Sequence, residues 1–186
     1  MIIVENLPSF VKCVDSETSK TIFEKYDQAF TTASHEGVKF PLPKNMKILA
    51  INDGFIQSIE NFEYLGGLIR EFTSEGAYFF FPLASFNDVF KGHFSFEVMN
   101  WIDTQVFETP VVFLIPDSKL FIVVDELLSI TVIAYQMAIE ENVLVKLGGK
   151  DILRDKFESS LRDNYVGFGY LEKKWLESFS EKYCDW

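Results

Sequence analysis

Two histidines, His35 and His93, and two cysteines, Cys13 and Cys184, are the only ligands of their kind in this chain. Neither histidine has a second His or Cys at ligand spacing. A zinc site needs three or four N, S or O ligands, so no metal is expected. Asn52-Asp53-Gly54 opens like a calcium loop but lacks the acidic positions that should follow; it reads as a turn that ends a strand. Nucleophilic catalysis needs a base and an orienting group beside the nucleophile. Cys13 with a histidine and an aspartate is a set that almost any chain offers, and Cys13 reads more simply as a small apolar residue. The nearest approach to a phosphate cradle is Leu147-Gly148-Gly149-Lys150-Asp151. Two glycines precede a helix start there, but Asp151 puts a carboxylate where an anion would sit. The paired carboxylates Asp125-Glu126 and Glu140-Glu141 would need unlike environments to work as acid and base. Asp125-Glu126 falls at an expected hairpin break, which implies a solvated turn. No cluster survives as catalytic, so neither an enzyme nor a cofactor is expected.

Charge is more informative. The chain holds 28 acidic and 17 basic residues, a net charge of −11. Between Asn52 and Val145 there are fourteen acidic residues and three basic ones, so the whole excess lies in the middle of the chain. Such a field repels nucleic acid and anionic lipid. It speeds the docking of a basic protein. It also keeps an aromatic-rich chain soluble, which is the plainer explanation. The residues expected to meet a basic partner are Glu97, Asp103, Glu108, Asp125, Glu126, Glu140 and Glu141. Trp101 and Trp175 fit helix core faces, whereas Trp186 has no helix face to fill. It is either an interface anchor or part of a disordered end.

In overall character the chain is similar to the small acidic immunity proteins of bacterial toxin systems, although it shares no motif with them. The similarity implies a non-enzymatic inhibitor that neutralises a basic partner such as a toxin nuclease domain. Two other readings stand beside it. One is a small-molecule-binding or enzymatic domain with a Phe- and Tyr-lined pocket between sheet and helices. The other is a structural homo-oligomer with an aromatic interface.

The elements that must position these residues are organised around Pro110 to Tyr135. Three apolar runs rich in Val, Ile and Phe are divided there by Pro116-Asp117-Ser118 and by Asp125-Glu126. This pattern predicts an antiparallel meander. The first two runs do not alternate, so burial on both faces is expected. The third alternates and should have a mixed second face. Further strands are expected at Met46–Ile51 and Ala77–Phe81. Helices are expected at Ser16–Ala33, Phe55–Phe72, Phe94–Phe107, Asp151–Tyr165 and Leu171–Tyr183, with a short one at Ser85–Phe90. Pro41 and Pro43 make Val38–Asn45 a connector, and Leu144-Val145 a candidate last strand. The fold class is α+β, a mainly antiparallel sheet of about five strands with helices before and after it.

Length and composition suit one domain over residues 1–186, with 147–186 as a helical hairpin on the main core. Aromatic residues make up 16% of the chain, and 20 residues are Phe, which requires a sizeable packed core. Met1-Ile-Ile-Val is followed at once by Glu5, unlike a secretory signal. No apolar run approaches the roughly 20 residues that span a bilayer. A cytoplasmic chain with reduced cysteines is expected.

Overall fold

The computed structural model describes residues 7–35, 38–52, 59–83, 88–105, 110–115, 119–125, 128–163 and 170–186. In chain order its strands are β1 (Val11–Cys13), β2 (Phe30–His35), β3 (Val38–Pro43), β4 (Lys47–Ile51), β5 (Ala77–Phe80), β6 (Val89–Gly92), β7 (Val111–Leu114), β8 (Leu120–Asp125) and β9 (Ile130–Tyr135). Its helices are α1 (Ser16–Ala29), α2 (Ile59–Phe72), α3 (Phe96–Gln105), α4 (Glu140–Leu147), α5 (Lys150–Asp163) and α6 (Tyr170–Tyr183).

The meander forms as its sequence predicts. β7, β8 and β9 pair in succession, antiparallel, inside a seven-stranded sheet of order β1-β6-β5-β7-β8-β9-β4. Every neighbouring pair in that sheet is antiparallel. All residues of β7 and β8 are buried, because alternate side chains feed two cores. Leu120, Ile122 and Val124 of β8 face one core, and Phe121 and Val123 face the other. β9 does not have the expected mixed face. All six of its residues are buried, Thr131 included.

Helices cover both faces. On the first face α2 packs Phe62, Leu65, Leu68 and Ile69 against the sheet, α3 packs Val98, Met99 and Ile102, and α4 packs Val143 and Leu147. On the second face lie Ile22 and Tyr26 of α1, Phe157 and Leu161 of α5, and Leu176 and Phe179 of α6. The C-terminal helices therefore share the main core.

Several local expectations are overturned. The sheet has seven strands, not about five, because β1 and β6 extend it beyond β5. The first helix stops at Ala29, and Phe30–His35 turns into β2. β-Branched Thr31 and Thr32 suit that strand, which pairs along its whole length with the expected connector, now β3. Pro41 and Pro43 are tolerated because this separate ribbon has only two strands, both of them edges. Val89 and Phe90 belong to β6 rather than to a short helix; Ser85 to Asn87 lie outside the described residues. Leu144 and Val145 are helical, in α4, which ends at Gly148 with a left-handed φ of 76°. Trp186 is ordered against the core, 5.5 Å from the Phe157 ring centroid.

Candidate functional site

The three helices of the first layer arise from the same central stretch of chain that holds the excess acid. Each buries one apolar stripe against the sheet, so its charged residues must face outward. α2, α3 and α4 together contain Glu60, Glu63, Glu71, Glu97, Asp103, Glu140 and Glu141, against Arg70 and Lys146 alone. Glu60, Glu63, Glu97 and Glu141 are exposed. Two of the seven are paired: Glu71 with Lys146 at 2.8 Å and Glu140 with Lys150 at 2.9 Å. Folding thus turns a charge excess along the sequence into a charge excess on one side of the sheet. The second layer is nearly balanced, since α1, α5 and α6 hold ten acidic and nine basic residues.

The seven residues expected at a partner surface divide unequally. Glu97 is exposed in the first turn of α3. The backbone N–H of Glu97 itself, and then the Ser95 hydroxyl, donate to its carboxylate and hold it below the usual range. Glu141 is exposed on α4, and Glu140 stands half-buried at the start of that helix. Asp103 lies on α3, but its side chain is outside the described residues, as are Glu108 and Glu126. Asp125 departs from expectation. It is 2% exposed, and its Oδ1 accepts the Leu128 N–H at 2.9 Å. It closes the β8–β9 turn from inside rather than facing a partner. The sequence reading missed Glu60 and Glu63, whose polar positions on the α2 pattern were the available signal.

The first layer also carries exposed apolar surface. The large hydrophobic residues exposed among the described residues are Phe10, Phe96, Met137, Val145 and Ile152. Phe96 is on α3, where it stacks on Phe62 with ring centroids 4.1 Å apart. Met137 sits just before α4 and Val145 on it, whereas Ile152 belongs to α5.

A polar corner ties the residues after α6 to the sheet edge. Asp185 Oδ2 accepts the Ile48 N–H at 2.7 Å, and the Asp185 N–H donates to the Ile48 carbonyl at 2.7 Å. Lys47 Nζ donates to Asp185 Oδ1 at 2.9 Å, which raises the lysine above its ordinary value. The last residues thereby occupy the outer edge of β4, a strand edge that would otherwise present unpaired backbone groups. The Tyr135 hydroxyl is buried close to this corner and has no hydrogen-bond partner among the described residues. Burial first, then Glu140 and Asp185, push its pKa up.

On the second face an open groove of about 740 Å³ runs beside α1. Val14, Phe23, Tyr26 and Pro82 provide its apolar lining. Glu24, Asp27 and Asp88 line it with carboxylates, and Lys20 is its one basic residue among those described. Cys13 is exposed nearby; its thiol is raised by partial burial and then by the charge of Asp88. Among the described residues, no three or more His, Cys, Asp or Glu gather as metal ligands, and no helix is long and apolar enough to cross a membrane.

No protein-family model, curated protein or solved structure matches this chain.

Proposed function

We propose that this chain is a non-enzymatic protein-binding domain whose α2–α3–α4 layer covers a basic partner. The mode would be that of an immunity or inhibitor protein that neutralises a basic toxin domain such as a nuclease. One observation carries the reading. The unbalanced acid and three of the five large hydrophobics exposed among the described residues fall on or beside the same helical layer. Apolar anchors ringed by charge are how protein interfaces divide affinity from steering. The hydrophobic side chains supply buried area on docking, and the carboxylates raise the encounter rate and reject acidic competitors.

The test is capture of partners from cells of the native host at low and then moderate salt, repeated with Glu63→Lys, Glu97→Lys and Glu141→Lys combined. The reading expects one basic protein in stoichiometric amount, released by salt and lost from the triple variant while its circular dichroism is unchanged. A basic protein retained equally by the variant would sink it. A second reading, a small-molecule-binding domain with a Phe- and Tyr-lined pocket, is favoured by the groove beside α1.

A further inference from the structure

We infer that the groove beside α1 binds an organic cation, an ammonium or guanidinium group carried on an apolar body. Its aromatic floor is rigid. Phe23 and Tyr26 both make T-shaped contacts with Phe80, which is fully buried, at 4.9 and 5.2 Å between ring centroids. Tyr26 also stacks on Phe30 at 4.7 Å. An apolar body can cover these rings without waiting for them to reorganise, and a cation over a ring face gains further attraction.

The charges around that floor are unbalanced in one direction. Lys20 is drawn to Glu24 on its own helix at 3.9 Å. Asp27 and Asp88 form no ion pair among the described residues. Lys44 comes near, but its Nζ donates to the Asp27 carbonyl at 3.0 Å rather than to the carboxylate. Asp27 sits in the last turn of α1, a turn that holds no basic residue, and the negative end of the helix adds to its field. Asp88 approaches from the strand side, just before β6. The two carboxylates line the same groove from two separate elements, with Phe23, Tyr26 and Pro82 as its apolar lining. An anion is repelled, and a bare inorganic cation makes no use of Phe23, Tyr26 and Pro82. The volume of about 740 Å³ falls within the range of small-molecule pockets.

This site lies on the face opposite the acidic helical layer and rests on the second reading alone. Three isosteric probes test it on the full chain: phenethylamine, 2-phenylethanol and phenylacetate, followed by chemical-shift titration in solution NMR. The expected result is saturable binding of phenethylamine only, with shifts centred on α1 and β6. Asp27→Asn and Asp88→Asn should each weaken it about threefold, the scale of an exposed charge pair. The combined Glu97→Lys and Glu141→Lys variant should leave it unchanged, which separates this site from general attraction to an acidic protein. Equal binding of 2-phenylethanol, no saturable binding of phenethylamine, or binding indifferent to both aspartate substitutions would each overturn the inference. None of these results bears on capture of a basic protein by the other layer.

Discussion

The two helical layers pack on one sheet by the same means and present opposite surfaces. Each core joins apolar side chains of its helices to the alternate residues of β7, β8 and β9, and α5 reaches both, Leu153 entering the first core and Phe157 and Leu161 the second. The α2–α3–α4 layer contains seven acidic and two basic residues, whereas α1, α5 and α6 nearly cancel. The balanced layer holds the i,i+4 pairs Lys20–Glu24 and Arg154–Glu158. Burial on the sheet therefore requires nothing of the outward charge. A balanced layer serves the fold equally well, and like charges gathered on one side oppose compaction slightly. The acidic layer thus differs from its counterpart in a property that binding uses and packing does not.

The strongest way to break this comparison is to show that the balanced layer is no true layer but an appendage. Phe157 of α5 is almost fully buried and touches the Trp186 ring. Phe157→Ala should cost about 3–5 kcal/mol, the range for a large aromatic removed from a core. The measurement is urea unfolding followed by both near- and far-ultraviolet circular dichroism. One cooperative transition at lower urea supports a common core. A small early transition that leaves the main one in place would show that α5 and α6 unfold separately. Next in size is Asp185→Ala, which leaves the Ile48 N–H at the edge of β4 without its acceptor and Lys47 without its partner. A charged hydrogen bond of this kind contributes about 2 kcal/mol. The same unfolding experiment measures it, and a loss below about 0.5 kcal/mol would mean that the terminal residues only rest on the edge.

The meander was legible in the sequence because its signal is local. Three β-branched runs and two turn clusters fix both strand type and pairing order. The helices with four-residue repeats, such as Leu153, Phe157 and Leu161, were legible for the same reason. What escaped was structure that exists only through distant partners. β1 has three residues and is a strand because Val11, Lys12 and Cys13 meet Gly92, Lys91 and Phe90 far along the chain. β2 continued a helical pattern until pairing with β3 outweighed propensity. The site divided likewise. An acidic middle was visible as composition, but its collection on one side depended on α2, α3 and α4 all lying on the same face. Asp125 misled because a turn aspartate can look outward or cap its own hairpin, and neighbouring sequence does not decide which.

A matched exchange of charge sharpens the comparison directly. Glu63→Lys, Glu97→Lys and Glu141→Lys alter the acidic layer; Glu17→Lys, Glu158→Lys and Glu177→Lys alter the balanced one by the same total. With an oligo-arginine peptide as probe at low salt, the first triple should weaken association about tenfold and the second about twofold. Isothermal titration at two salt concentrations reads both. Equal losses would mean that net charge alone attracts the probe and that the layers do not differ in function.

The smallest expected effect concerns what lies beneath the acidic layer. Tyr135 is fully buried on that side, and its hydroxyl has no hydrogen-bond partner among the described residues. An unsatisfied buried hydroxyl is a cost to the folded state, since the unfolded chain hydrates it. Tyr135→Phe removes that cost while keeping the ring, so it should stabilise the protein by about 1 kcal/mol in urea unfolding at neutral pH. The gain should grow in alkali. Burial, then Glu140 and Asp185, raise the folded pKa of Tyr135 above its ordinary value of 10.0. The folded state therefore keeps the proton longer than the unfolded chain. Stability is full below about pH 10 and falls as pH climbs toward the folded value. Tyr64, pushed up to about 12 by burial, adds to the same alkaline loss in both proteins. Tyr135→Phe should thus lose less stability above pH 10 than the parent. If the substitution instead destabilised the protein at neutral pH, the hydroxyl would be making a bond worth more than its burial costs. The polar corner at Asp185 and Glu140 would then support the acidic layer rather than strain it.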